Sequence, residues 1–235
     1  MSPASRVGAT SIAVAAATAI VLVAVAVLPF LTPAWLAVAQ DRAEAAAWTG
    51  YSEAELRAAT DALLHDLVIG PPAFDVVVAG EPVLTEPERA HLRDVRGVFS
   101  GLAILALAAA GVLIVAARRA SPRATWRAIR AGGLVLAGIV VLLGIVATVA
   151  FEPAFAVFHQ LLFTGNYVFD PRTHRLVQLF PDRLWFETSI AVGAVMLGLS
   201  LAVAWRAGRR VAAPAAPAED LDAEPRRRGL REAGS

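Results

Sequence analysis

Residues 97–150 read GVFSGLAILALAAAGVLIVAA, then RRASPRATWRAIR, then AGGLVLAGIVVLLGIVATVA. The flanking runs are uncharged over 21 and 20 residues, and the 13 residues between them hold five arginines and no acid. About 20 apolar residues cross the roughly 30 Å of hydrocarbon in a bilayer. Backbone groups in lipid meet no water, so each run must satisfy its own N–H and C=O groups, as a helix does. A short connector rich in arginine and free of acid marks the cytoplasmic side. The stretch therefore reads as a helical hairpin with its tip in the cytoplasm.

Working outward, the same reading finds two further runs, giving spans at about 7–28, 97–117, 131–150 and 188–205. Segment 30–96 carries five arginines against eleven acids, and 151–185 balances three against three, whereas seven arginines follow from Arg206 onward. Both termini are thus expected in the cytoplasm, and segments 30–96 and 151–187 outside. Ala37-Val38-Ala39 before Gln40 has the small-residue look of a signal-peptide cleavage site. The apolar run ahead of it, at about 20 residues, exceeds the usual 7–15, and the run is read as a retained span. Residues 1–206 form one four-span membrane domain. Residues 207–235, rich in Ala, Pro and charge, are expected to be a disordered cytoplasmic tail. The expected fold is all-α: a four-helix transmembrane bundle with an outer amphipathic helix and an outer re-entrant or interfacial loop.

Composition agrees, with 57% hydrophobic residues, a mean hydropathy of +0.62 and 17% charged residues, against about 25% in soluble domains. The bilayer is the expected partner. A net charge of +1, with arginines sorted by membrane side, gives no reason to expect nucleic acid. The chain has no cysteine, which removes disulfides and any thiolate nucleophile or metal ligand. Neither an HExxH nor a GxSxG pattern occurs, so no metal or cofactor is expected and a serine triad is disfavoured.

The four histidines, His65, His91, His159 and His174, all fall in the outer segments. Ser52 and Glu55 have capping-box spacing, and Leu56, Ala59, Leu63 and Leu67 make an apolar stripe that ends at Gly70-Pro71-Pro72. This amphipathic helix lies on the membrane or lids the bundle, with His65 at its solvated border. Thr85 and Glu88 open a second capped helix, which carries His91 and Asp94 on one face and continues into the second span. A carboxylate one turn from an imidazole can fix its tautomer and raise its basicity. In FHQLLFTGNYVFD, residues 158–170, His159 sits among phenylalanines and needs a polar partner, such as Glu152, Asn166, Glu187 or His91. His174 lies at a turn and reads as solvated. Spacing alone leaves open a lipid-ester hydrolase using these histidines and a non-catalytic membrane scaffold or accessory protein. The uncharged spans disfavour transport.

Four spans, a capped outer helix, HLRDVR at the second span and FHQLLFTGNYVFDP…RLVQLFPDRLWF after the third together resemble the lipoprotein intramolecular transacylase family of bacterial membrane proteins. Tyr167 stands where tryptophan is more usual in the family. The resemblance covers roughly residues 7–205. It implies transfer of one acyl chain from the diacylglycerol on a lipoprotein's N-terminal cysteine to that cysteine's α-amine, at the outer leaflet. Diacylated lipoproteins would be the substrate. His91 and His159 match the family's catalytic pair. His159 is assigned as base and His91 as acid or oxyanion partner, in a division that can be reversed. Asp94 would orient His91, while Arg96 and Asn166 are possible donors to the oxyanion or a headgroup phosphate.

Overall fold

The computed structural model describes residues 3–163 and 168–212. In order, the elements are α1 (Pro3–Val27), a 3-10 turn (Leu28–Phe30), α2 (Pro33–Arg42), α3 (Ala45–Thr49), α4 (Glu53–Val68), a hairpin of β1 (Val77–Val78) and β2 (Glu81–Pro82), α5 (Glu86–Arg119), α6 (Pro122–Val149), α7 (Phe151–Leu162), α8 (Arg175–Leu179) and α9 (Asp182–Ala212). The fold is an all-α bundle with a minimal hairpin added. Four helices, α1, α5, α6 and α9, are long and apolar enough to cross a membrane. The tail expected over 207–235 begins later than its composition suggested: residues 207–212 continue α9, because Ala207, Arg209 and Arg210 favour helix, and residues 213–235 lie outside the described residues.

Helix boundaries extend the sequence reading at the arginine-rich end. The 118–130 connector is helical except at Ala120 and Ser121. The Ser121 hydroxyl accepts from the Ala124 N–H at 3.3 Å, and Pro122 occupies the first turn, where no N–H is needed. Arg123, Arg127 and Arg130 are good helix formers and continue α6 outward from its apolar part. At the other end of α6 the chain breaks at Ala150, whose φ of −146° and ψ of 55° are non-helical. Pro153 accounts for the break, because its ring would collide with the Val149 carbonyl in a continuous helix.

Within the bundle, α1 packs on α5 and α6, and α6 packs on α9. Two adjacent glycines permit this. A Cβ on Gly132 would overlap the Ala15 carbonyl of α1, and one on Gly133 would come within 2.9 Å of the Ser200 carbonyl of α9. Lipid gives helices no hydrophobic drive to associate, so close backbone approach over small residues supplies the contact.

Opposite the arginine-rich end, segments 30–96 and 151–187 fold together over the bundle. The α4 stripe (Leu56, Ala59 and Leu63) is buried against Phe74, Val83, Leu84 and Leu92 of its own segment and Phe169, Leu176 and Leu179 of the later one. The stripe thus faces protein, the two outer segments packing on each other. Its capping box is formed: the Ser52 N–H and hydroxyl both donate to Glu55 at 2.9 and 2.7 Å. The hairpin turns at Ala79 and Gly80, with φ of +52° and +86°, the pair of positive values a two-residue type I′ turn requires. Gln40, 1% exposed, links three elements: it bonds Thr60 of α4 and donates to the Leu179 carbonyl of α8 at 2.9 Å.

Candidate active site

His91 lies in the second turn of α5, before the uncharged part of that helix begins at Gly97. His159 lies in the last turn of α7. Helices from two distant parts of the chain bring them together: both are 9% exposed, with rings stacked at 5.9 Å between centroids and 22° between planes. Phenylalanines surround the pair. Phe163 meets His91 edge-on at 4.9 Å, and Phe169 does so at 5.7 Å. Phe155 lies 4.2 Å from the His159 ring and Phe158 5.4 Å from it.

His159 Nδ1 lies 2.8 Å from the Phe155 carbonyl oxygen. A carbonyl can only accept, so Nδ1 carries the hydrogen and Nε2 is the basic nitrogen of the neutral ring. Glu152 and Glu187 were alternatives from sequence. Glu152 is exposed, and Glu187 is engaged elsewhere, accepting from Arg42 at 2.5 and 3.2 Å and from Arg183 at 3.0 Å. Those hydrogen bonds hold the Glu187 carboxyl down to about 2. Asn166 lies outside the described residues.

His91 stands ahead of the membrane-spanning part of α5, and its proton affinity is lowered there. Burial is the largest cause, the neighbouring His159 adds to it, and Asp94 opposes it. The ring is therefore neutral at pH 7. Asp94 acts on it through charge alone: it is exposed and makes no hydrogen bond to His91 among the described residues.

Arg96 points elsewhere. Its Nη1 donates to the Asp66 carbonyl and, at 2.5 Å, to the Gly70 carbonyl. A guanidinium on the last carbonyls of α4 completes that helix's C-terminus. His65 is exposed beside Asp66. His174 is half-buried instead of solvated, because its ring packs on Phe169 at 5.3 Å.

Glu88 carries more than its spacing suggested. It is 1% exposed. One carboxylate oxygen accepts from the Thr85 N–H and hydroxyl at 2.7 and 2.6 Å, and the other accepts from the Leu176 N–H at 2.8 Å. It thus ties the start of α8 to α5 one turn before His91, holding the Phe169 wall against the histidine. The capping spacing was legible in the sequence, whereas the bond across 88 residues was not. Among the described residues no third His, Asp or Glu joins the pair into a metal-binding group.

Two buried imidazoles in an aromatic wall at one end of four apolar helices suit proton transfer at a lipid ester. The family model described as "Lipoprotein intramolecular transacylase Lit" matches residues 11–185, spanning both histidines. The chain belongs to the lipoprotein intramolecular transacylase family. Members are integral membrane enzymes that move an acyl group within one lipoprotein. Among solved structures, the chain resembles the Lit transacylase of Bacillus cereus with a TM-score of 0.72 at 19% identity, over 88% of this chain and 97% of that one. Two single-histidine variants of the same protein, to arginine and to alanine, match at 0.68 and 18% identity; they cover 88% of this chain in each case, and 93% and 94% of theirs. The fold of a Lit transacylase is thus shared at low identity. No curated protein matches the chain.

Proposed function

We propose that His159 and His91 carry the transacylation, at the outer leaflet, on a diacylated lipoprotein. The observation that carries this reading is the buried, stacked histidine pair inside a phenylalanine wall. Substitution of a histidine in the two Bacillus cereus variants is in keeping with it. The substrate's N-terminal amine is an ammonium at neutral pH and must lose a proton before attack. Nε2 of His159, basic because Nδ1 donates to Phe155, takes that proton. The amine nitrogen then bonds to the ester carbonyl carbon, and the carbonyl oxygen becomes an oxyanion. A neutral His91 donates an N–H to that oxygen. His159, having passed the first proton to the bulk, takes a second from the now cationic nitrogen. Collapse then breaks the bond between carbon and the glycerol oxygen, which receives that second proton from His159. An amide and a glycerol hydroxyl result, with no water, nucleophilic side chain or redox partner consumed. Donor and acceptor are held on one molecule, so positioning supplies much of the rate. Phe155, Phe158, Phe163 and Phe169 form an apolar wall suited to the acyl chain and exclude water that would hydrolyse the ester.

The test is mass spectrometry of the N-terminal lipopeptide of a reporter lipoprotein, in a host making diacylated lipoproteins. Wild type should move one chain to the α-amine at unchanged total mass, and His91→Ala and His159→Ala should not. Released fatty acid would indicate a hydrolase. Unaltered lipopeptide with folded wild-type protein would indicate a non-catalytic role. Sidedness has its own test, made clean by the absence of cysteine. A membrane-impermeant maleimide should label Asp61→Cys in intact cells and Arg118→Cys only after permeabilisation.

A further inference from the structure

At the end of the bundle away from the histidines, α6 and α9 flank an open surface hollow of about 540 Å³ lined by Arg123, Arg130, Trp205, Gly208 and Arg209 together with Ala204, Val211 and Ala212. We propose that it binds the phosphate of an anionic phospholipid, with an acyl chain lying along the apolar faces of α6 and α9. Three arginines line the hollow, and among the described residues no acid lines it and none of the three forms an ion pair. Like charges gathered around one space repel unless an anion joins them. Arginine offers a planar fork that matches phosphate oxygens two at a time.

The positive-inside rule asks only for arginines somewhere near this end, and Arg118 and Arg127 satisfy it without lining the hollow. Gathering needs more. Arg123 and Arg130 are seven apart, two turns of α6, and so share a face. Arg130 lies against α9 at Gly208, where a Cβ would be in ordinary contact with its Nε at 3.4 Å. The Arg209 guanidinium lies 5.1 Å over the Trp205 ring, and an indole is the side chain that marks headgroup depth. Apolar residues continue from the hollow, with Leu201 and Trp205 exposed on α9. A free phosphate would have no use for that surface; a lipid would. The proposal needs only that α6 and α9 span the bilayer.

The experiment is native mass spectrometry and thermal unfolding of the full-length protein in detergent, with phosphatidylglycerol, phosphatidylcholine or inorganic phosphate added. Wild type should retain phosphatidylglycerol over phosphatidylcholine and melt at a higher temperature with it alone. R123Q/R130Q/R209Q should weaken that retention by at least roughly tenfold. R118Q/R127Q, charge losses outside the hollow, should leave retention near the wild-type level. Gly208→Leu fills the hollow without changing net charge and should also lose the lipid, which covers the case where the triple variant misfolds. Three outcomes overturn the proposal. The two arginine variants weaken retention alike, which makes it general surface charge. Inorganic phosphate stabilises as well as the lipid, which makes it a soluble-anion site. Wild type binds no lipid until E219Q/D220N/D222N/E224Q neutralises the acids of the 219–224 segment, which makes that segment the occupant.

Discussion

The environment of His91 sets its charge. Burial and the adjacent His159 lower its proton affinity, and Asp94 partly offsets them. Histidine NMR of the solubilised protein should find His91 titrating below the ordinary value near 6.5. Removing each neighbour should move it in opposite directions: His159→Gln upward, Asp94→Asn downward. A ring titrating at or above 6.5 would contradict the assignment. The sign for stability follows from linkage. A site that binds its proton less well when folded contributes stability above the unfolded value, and that contribution is lost as pH falls through 6.5 toward the folded one. For catalysis, loss of either imidazole should reduce transfer by about 10²- to 10⁴-fold, read from the ratio of rearranged to unaltered lipopeptide. Asp94→Asn should have a smaller effect than either, since it acts on His91 through charge without a hydrogen bond.

Elements owe their mutual placement to a few buried polar side chains. Glu88 joins α5 to α8, Gln40 joins α2 to α4 and α8, and Arg96 closes the end of α4. Each sits where an unpaired polar group would be costly. Glu88→Gln keeps one acceptor oxygen for the two Thr85 donors and turns its amide hydrogens toward the Leu176 N–H, and should cost about 1–3 kcal/mol. Hydrogen exchange should show faster exchange of the Leu176 amide, together with slower acyl transfer, because the Phe169 wall is no longer held to His91. Glu86→Gln, at an exposed carboxylate paired with Arg89 and Arg93, should leave stability near the wild-type level, because solvent screens such pairs. Equal effects from the two would mean that Glu88 is an ordinary cap.

On the scale of the whole molecule, α6 is the helix that both α1 and α9 pack against. Gly132→Val should force α1 away from α6, lowering both the yield of monodisperse protein and its melting temperature. Gly138→Ala, with nothing within 4 Å of its Cβ, should be tolerated. If both are tolerated, the bundle does not depend on close approach at Gly132. The break at Ala150 lets α7 leave the bundle line and bring His159 to His91, so the site depends on how α6 ends as well as on how it packs.

The number of helices able to span, their approximate limits and the all-α class follow from local chemistry, because a run that can lie in lipid must be apolar and must bond its own backbone. The caps at Ser52 and Thr85 and the α4 stripe were readable for the same reason: each is set by residues three or four apart. His91 and His159 stood out as histidines in lipid-level surroundings, and the family resemblance named them as a pair. Tertiary structure decided what depends on distant neighbours. It placed the two rings 5.9 Å apart, gave His159 the Phe155 carbonyl in place of a carboxylate, and turned Arg96 toward the end of α4. It also sent Glu88 to Leu176 and faced the α4 stripe into protein. The histidine pair, the Glu88–Leu176 bond and the later wall of the α4 stripe form only when segments 60 or more residues apart bury their apolar faces together. Arg96 reaches 26 and 30 residues back to the end of α4, and His159 turns to a carbonyl one helical turn away because burial leaves its ring nitrogen in need of a partner.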